Sequence, residues 1–327
     1  MSDKIGWEQE LPVAKLPDDP AFRENYCFWG YDRERAVGFW IHMGRWPLDN
    51  RVWREQVLIY LPDGDYLVHR AWGHRESDKG PSSALLDIIC KEPGKHWQLR
   101  YRGPARRTTT EEVHAGGLLE GPQILLDMDI AFTSSVPIWD MSKHVQNQDW
   151  AKFHMEQNGR LTGPITVDGK TVEMDGFGWR DHSRGPRNIS SLVRHIFING
   201  DLPEGRSFAI TYIETEENGQ VVLSLAKGVI WSEGKIYEAH TPNPPFLDPG
   251  VFPPPEHYSM TLVSELGELH IDAHTPCSLP HTSSKEYNVY DGVARGMGHI
   301  LCYEQGTVFT IDGRQYNGHS ERSHRME

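Results

Sequence analysis

Residues 165–187 read I-T-V-D-G-K-T-V-E-M-D-G-F-G-W-R-D-H-S-R-G-P-R. Asp168 and Gly169 supply the positive φ angles that a two-residue hairpin turn requires, and apolar residues alternate with polar ones on both sides of them. This stretch therefore predicts an antiparallel β-hairpin. Its second arm ends in residues 176–187, where a Trp, an Asp, a His, a Ser, three Arg and three Gly are concentrated in twelve positions.

Turn signals of the same kind recur along the chain, which indicates many short antiparallel strands. They are Q-N-G-R at 157–160, P-E-G-R at 203–206, E-N-G-Q at 217–220, S-E-G-K at 232–235 and I-D-G-R at 311–314. Strand-like runs also fill the first half, as in V-G-F-W-I-H-M-G-R-W at 37–46. Regular short strands favour a sandwich or a barrel over a fold of alternating strands and helices.

The length of the chain favours two such domains. With 327 residues it exceeds what one compact core usually holds. We place the domains at residues 1–160 and 161–327, so that the segment 176–187 lies next to the boundary between them. Ligand sites are common at domain boundaries.

Charge and composition narrow the range of partners. The net charge is -13, from 46 acidic and 33 basic residues without a long run of either sign, which disfavours binding to nucleic acid. No apolar run approaches the ~20 residues that cross a bilayer, so we expect no membrane insertion. The four cysteines form no C-x-x-C pair and the N-terminus lacks an apolar leader, which indicates a reduced, cytoplasmic protein.

Familiar cofactor and nucleophile motifs are absent from the sequence. It contains no G-x-G-x-x-G after a strand, no phosphate-binding G-x-x-x-x-G-K-[ST], no G-x-S-x-G and no H-E-x-x-H. His69 with His74, and His270 with His274, lack the i, i+2 spacing that puts two imidazoles on one strand face. We therefore expect no cofactor and no metal site.

The segment 176–187 is the leading candidate for the active site. Asp181 beside His182 is expected to set the tautomer of the imidazole and raise its basicity. Arg180, Arg184 and Arg187 are suited to hold an anion or a developing oxyanion. The alternative is a structural corner between two sheets, with the charges paired for stability alone.

The same segment resembles the D-H-S-W-G-x-R signature of the AttH-like proteins, which are related to carotenoid 1,2-hydratase (hydroxyneurosporene synthase). The hairpin before it and the stretch F-W-G-Y-D with V-G-F-W-I-H-M-G-R-W are similar to the same family. The match covers Asp181, His182, Ser183, Gly185 and Arg187. It fails at Arg184, where the family usually has an aromatic residue, and this departure favours a substrate with an oxygen atom or a phenolate to hold.

The resemblance implies an all-β fold of two lipocalin-like (calycin-type) antiparallel β-barrels packed together, with few short helices and a deep apolar cavity. It also implies chemistry without a redox cofactor. Members of the wider group add water to polyenes, isomerise, guide cyclisations or bind lipophilic molecules.

We therefore predict an acid–base lyase, hydratase or isomerase acting on a hydrophobic aromatic or terpenoid molecule. In this hypothesis His182 moves the proton, Asp181 orients it, and Arg184 and Arg187 hold an oxyanion or phenolate. Further residues are expected to contact the substrate: Trp29, Trp40, Trp72, Trp179, Arg180, Tyr303 and Glu304.

Two alternatives remain open at the level of sequence. One is a non-catalytic lipocalin-type protein that binds a lipophilic ligand. The other is a structural role for Asp181 and Arg187 as a buried ion pair that clamps the two barrels. A homodimer is compatible with the sequence.

Overall fold

The structure, a computed structural model, describes residues 6–115, 121–146, 151–283, 289–291 and 299–326. The chain forms two compact units, the first built mainly from residues up to Arg187 and the second mainly from residues after it. Each unit is an antiparallel β-sheet closed on itself. No helix among these residues has the length and apolar character that a transmembrane span requires.

The first unit is a closed barrel of eight strands. Neighbours follow the order β10-β1-β2-β3-β4-β6-β7-β9, and pairing of β9 with β10 closes the ring, while β5 pairs with β6 and β8 with β9 outside it. The elements are α1 (Trp7–Glu10), β1 (Phe22–Asp32), β2 (Val37–Trp46), β3 (Asp49–Tyr60), β4 (Tyr66–Gly73), β5 (Leu86–Glu92), β6 (His96–Thr108), β7 (Gln123–Thr133), β8 (Trp139–Asp140), β9 (Phe153–Val167) and β10 (Lys170–Pro186). A short helix, α2 (Thr110–Ala115), follows β6 in the chain.

The second unit is also a closed eight-stranded barrel. Its order is β15-β14-β13-β12-β11-β19-β18-β16, closed by pairing of β15 with β16, and β17 pairs with β16. The strands are β11 (Leu192–Asp201), β12 (Ser207–Glu217), β13 (Gln220–Ser232), β14 (Lys235–His240), β15 (His257–Ser264), β16 (Gly267–Ser283), β17 (Val289–Asp291), β18 (Ile300–Ile311) and β19 (Arg314–Arg325). One 3₁₀ turn (Pro203–Gly205) links β11 to β12. The prediction of an all-β fold with two antiparallel barrels is confirmed.

The change from one unit to the other falls after Arg187, whereas the sequence placed it after residue 160. Residue 160 lies inside β9, and the predicted hairpin of β9 and β10 belongs wholly to the first barrel. The reason is closure: β10 pairs with both β9 and β1, so without it two strands would have unpaired edges. The segment 176–187 is therefore the end of the strand that completes the first barrel.

Each barrel is filled by apolar side chains from alternate strand positions. Residues on the first core are fully buried, for example Met43, Ile59 and Leu161. The second core is built likewise around residues such as Ile210 and Phe309. Because side chains alternate along a strand, the residues between these core positions point to the outer face of the barrel.

A substitution at Gly185 tests how closely the end of β10 packs against the backbone of Lys152. Its φ of +135° is disfavoured for other residues, and a Cβ there would lie 2.7 Å from the backbone nitrogen of Lys152. That nitrogen donates a hydrogen bond to the carbonyl of Arg184 (2.9 Å). We expect Gly185→Ala to lower the free energy of unfolding by roughly 1–3 kcal/mol, measured by urea denaturation.

The matched control is Gly169→Ala in the β9–β10 turn, where φ is +79° but no atom lies within 4 Å of a new Cβ. Its loss should be smaller, because only the backbone preference is affected. Equal losses in the two variants would show that the contact with Lys152 does not constrain Gly185.

Candidate active site

Strand β10 divides the predicted site between the two faces of the sheet. Arg180 and His182 point into the barrel, where the guanidinium of Arg180 lies 5.3 Å from the ring centroid of the core residue Trp97. Trp179 and Asp181 point to the outer face, as the two-residue period of a strand requires. Neighbours in sequence therefore have different surroundings and different partners.

Arg180 is the inward residue that holds the N-terminal segment. Its two Nη atoms donate to the carboxylate of Glu10 at 2.6 and 2.9 Å, and its Nε donates to Gln157 at 3.0 Å. Arg180 and Glu10 are both buried. We predicted that Arg180 contacts the substrate, but its donors are engaged with Glu10 and Gln157, which makes it a structural residue of the barrel interior.

His182 is the second inward residue. Its ring is fully buried, stacks on Tyr26 with centroids 4.0 Å apart, and places Nε2 3.3 Å from a carboxylate oxygen of Glu24. Glu24 also accepts a hydrogen bond from Nε of Arg45 at 2.9 Å. Burial lowers the pKa of His182 despite the opposing effect of Glu24, so the neutral imidazole is favoured.

The predicted pairing of Asp181 with His182 is wrong, because adjacent residues of a strand face opposite sides. Asp181 instead lies 2.6 Å from Nε2 of His154, a residue of β9. The same imidazole nitrogen is 3.5 Å from a carboxylate oxygen of Glu156. Burial lowers the pKa of His154, but the two carboxylates outweigh burial and the net shift is upward.

His154 and Glu156 were not singled out from the sequence. They have the i, i+2 spacing that places two side chains on one strand face. Their relation to β10 depends on register, which puts Ser183 opposite His154 and Asp181 opposite Glu156. The sequence contained the spacing, but only the pairing of β9 with β10 shows that these residues meet Asp181.

The other two arginines of the segment have separate locations. The guanidinium of Arg184 lies over the ring of Phe153 at 4.2 Å and donates to the carbonyl of Gln9 at 3.2 Å. Arg187 donates to Ser183 Oγ at 3.4 Å, and its charge acts on His154, whose pKa it lowers. Of the two, Arg187 is the one placed beside the outward pair of Asp181 and His154.

Three of the four predicted tryptophans lie together on the outer face. The rings of Trp29 and Trp179 stack with centroids 3.9 Å apart, and Trp40 is opposite Trp29 in the pairing of β1 with β2. All three are buried. Trp72 is 45% exposed and packs edge-on against Trp46, so it does not belong to this group.

Tyr303 and Glu304 of the second barrel also separate to opposite faces. Tyr303 packs in an apolar cluster and donates from its hydroxyl to the carbonyl of Val251 at 3.1 Å. One oxygen of Glu304 lies 2.9 Å from Nε2 of His281, and the other lies 3.3 Å from Nε2 of His319. The predicted pair therefore does not act as a unit.

Solved structures with the same architecture include a protein described as an AttH (NE1406) from Nitrosomonas europaea and the protein CghA. The first has a TM-score of 0.55 at 11% identity, covering 96% of this chain and 98% of that one. CghA has a TM-score of 0.56 at 11% identity, covering 99% of this chain and 97% of that one. A structure of CghA with Sch210972 also has a TM-score of 0.56, at 10% identity, covering 99% of this chain and 98% of that one.

At these identities the likeness shows a shared fold, which agrees with the resemblance to AttH-like proteins predicted from the sequence. No curated protein shows significant sequence similarity to the chain. A family described as Domain of unknown function (DUF7064) matches residues 8–243.

The bridge between Arg180 and Glu10 can be tested through stability. Arg180→Met leaves the Glu10 carboxylate buried without its cation, and we expect a loss of roughly 3–5 kcal/mol in the free energy of unfolding. The double variant Glu10→Met with Arg180→Met removes both charges and should recover most of that loss. Arg100→Met, at the exposed pair with Asp129, is the control and should cost about 1 kcal/mol or less.

Urea denaturation of the variants separates these outcomes. If the double variant is no more stable than Arg180→Met, the loss comes from packing around the side chain and the charge argument fails.

The raised pKa of His154 predicts a pH dependence of stability. Because folding raises this pKa above its ordinary value of 6.5, the contribution is fully present below pH 6.5 and is lost as pH rises through the raised value. The difference in unfolding free energy between the wild type and His154→Gln should therefore shrink as the pH rises above 6.5.

His182→Gln is the matched control with the opposite sign. The pKa of His182 is lowered, so its contribution is present above pH 6.5 and is lost as pH falls through the lowered value. Urea denaturation at a series of pH values below and above 6.5 measures both variants. A constant difference for His154→Gln would contradict the proposed imidazolium between carboxylates.

Proposed function

Because the chain belongs to the family described as Domain of unknown function (DUF7064), whose description assigns no activity, we propose its function from its own residues. We propose an acid–base enzyme, a lyase of the hydro-lyase or carbon–carbon type or an isomerase, that acts on a hydrophobic aromatic or terpenoid molecule without a redox cofactor. The observation that carries this proposal is the contact of 2.6 Å between His154 and Asp181, with the pKa of His154 raised.

His154 takes the role of proton carrier that we predicted for His182. Its raised pKa favours the imidazolium, which is the form that protonates an alkene, a hydroxyl leaving group or a carbonyl oxygen. The carboxylates of Asp181 and Glu156 stabilise the cation and hold the ring. After donating its proton, the neutral imidazole can remove one from a neighbouring carbon, as an isomerisation or an elimination requires.

The outer face that presents Asp181 also presents a wall of aromatic rings. Trp29, Trp40 and Trp179 offer large flat surfaces suited to a ring system or a polyene. Arg187, which acts electrostatically on His154, is suited to an oxygen atom of the substrate that gains negative charge. The structure of CghA with Sch210972 supports the view that this fold accommodates a small molecule.

The alternative is a binding protein in which the same tryptophans and Arg187 hold a ligand and no bond changes. The aromatic wall favours both functions, whereas the raised pKa of His154 favours the enzyme, because shifted pKa values are common among catalytic acids and bases.

The test is product formation by His154→Gln. The wild type is incubated with a panel of phenols, terpenoids and polyenes, and mass spectrometry with chromatography detects gain or loss of water, loss of a carbon fragment or an isomer of equal mass. We expect His154→Gln to lower turnover by roughly 100- to 10,000-fold while ligands still shift its melting temperature.

Two control variants sharpen this test. His182→Gln should be less stable but keep turnover per folded molecule, and His270→Gln, with a side chain 66% exposed, should match the wild type. Unchanged turnover in His154→Gln would overturn the proposal. Ligand binding by the wild type without any product would favour the binding protein.

A further inference from the structure

The outer face of the second barrel gathers metal-ligand side chains from three neighbouring strands. His195 is on β11, Glu321 is on β19 and Cys302 is on β18, and these strands are adjacent in the order β11-β19-β18. Nε2 of His195 lies 2.5 Å from a carboxylate oxygen of Glu321. The imidazole nitrogen, the thiol sulfur and the carboxylate oxygen all lie within 4.8 Å of one another.

We propose that His195, Cys302 and Glu321 form a site for Zn²⁺ or a similar divalent transition-metal ion. Imidazole, thiolate and carboxylate are the three ligand types that zinc takes in proteins. Tetrahedral zinc with bonds of about 2.0–2.3 Å holds its ligand atoms roughly 3.3–3.8 Å apart, so the three groups need only small side-chain rotations to close around the ion. Three protein ligands leave the fourth position for water or a substrate atom.

Ser323 gives the site the support that metal-binding histidines normally have. Its Oγ lies 2.7 Å from Nδ1 of His195 and accepts a hydrogen bond from the backbone nitrogen of the same residue at 3.0 Å. The ring is thereby held by Nδ1, and Nε2 is directed at Glu321. Such a partner on the second ring nitrogen fixes the orientation of a histidine ligand and raises its affinity for a metal.

Burial favours a specific site over loose attraction of ions. His195 and Cys302 are buried, while the Glu321 side chain is 13% exposed and leaves a path for entry. We predicted no metal site from the sequence, because neither His69 with His74 nor His270 with His274 has the i, i+2 spacing that puts two imidazoles on one strand face. Here each donor comes from a different strand, and only the register brings them together.

A second group of donors must be controlled in any experiment. Glu256, His257 and His274 lie within the same distance limit on the surface of the second barrel, and the two imidazoles stack with centroids 4.6 Å apart. Two members of this group are well exposed: the side chain of Glu256 is 72% exposed and that of His274 is 45% exposed. Among the residues that the structure describes, no serine contacts a ring nitrogen of His257 or His274, in contrast to the contact of Ser323 with His195.

The test is titration of the metal-free full-length chain with Co²⁺, followed by Zn²⁺ competition. A cysteine ligand produces a thiolate-to-cobalt charge-transfer band, and we expect one equivalent of Co²⁺ to generate it and Zn²⁺ to displace it. Bound metal should also raise the melting temperature, because it binds the folded chain. The background for all variants is His257→Gln with His274→Gln, which removes the exposed group.

Cys302→Ser should abolish the charge-transfer band, whereas Cys277→Ser, the matched thiol control in the same barrel, should keep it. Ser323→Ala should weaken Zn²⁺ binding by about 10- to 100-fold while the band remains. Absence of the band in the background protein, or its persistence in Cys302→Ser, would overturn the proposal. The readout is binding, so the result does not depend on whether the proposed enzyme activity is correct.

Discussion

The alternation of side chains along β10 is the constraint on which the rest of the structure depends. This strand closes the first barrel by pairing with β9 on one side and β1 on the other. Its two faces therefore belong to different environments, the filled interior and the outer face. The interior receives Arg180 and His182, and the outer face receives Trp179 and Asp181.

The inward half of the segment explains how an apolar barrel tolerates buried charge. Arg180 is matched by both oxygens of Glu10, and Glu24 is matched by Arg45 and His182. Buried pairs of this kind add little net stability over apolar residues, but breaking one of them is costly. We interpret these pairs as contacts that position the N-terminal segment. Glu10 can contact Arg180 only when the end of α1 (Trp7–Glu10) lies at the barrel interior.

The sequence predicted the fold well because the relevant signals are local. Turns such as Asp168 with Gly169 determine hairpins, and alternation determines which residues are buried. The candidate site was predicted less well because it depends on register. Asp181 and His182 are adjacent in sequence and cannot meet on a strand, whereas His154 reaches Asp181 from the partner strand. The prediction that Trp72 lies with the other tryptophans was wrong for a related reason. The sequence shows that Trp72 is aromatic but not which face of the sheet it occupies, and its side chain is partly exposed to solvent.

The last strands of the two barrels carry a similar arrangement. On β10 the acidic residue Asp181 contacts His154 of the neighbouring β9, and on β19 the acidic residue Glu321 contacts His195 of the neighbouring β11. The surroundings then differ, since a second carboxylate, Glu156, accompanies His154, whereas a thiol, Cys302, accompanies His195. Such differences around a common pairing allow one architecture to support different chemistry.

The most direct test of the central claim is the protonation state of His154 and His182 in the wild-type protein. Nitrogen NMR of the imidazole rings, assigned through the single-histidine variants, distinguishes imidazolium from neutral imidazole at neutral pH. We expect a protonated His154 on the outer face and a neutral His182 inside the barrel. A neutral His154 together with a protonated His182 would contradict the assignment of chemistry to the outer face of β10.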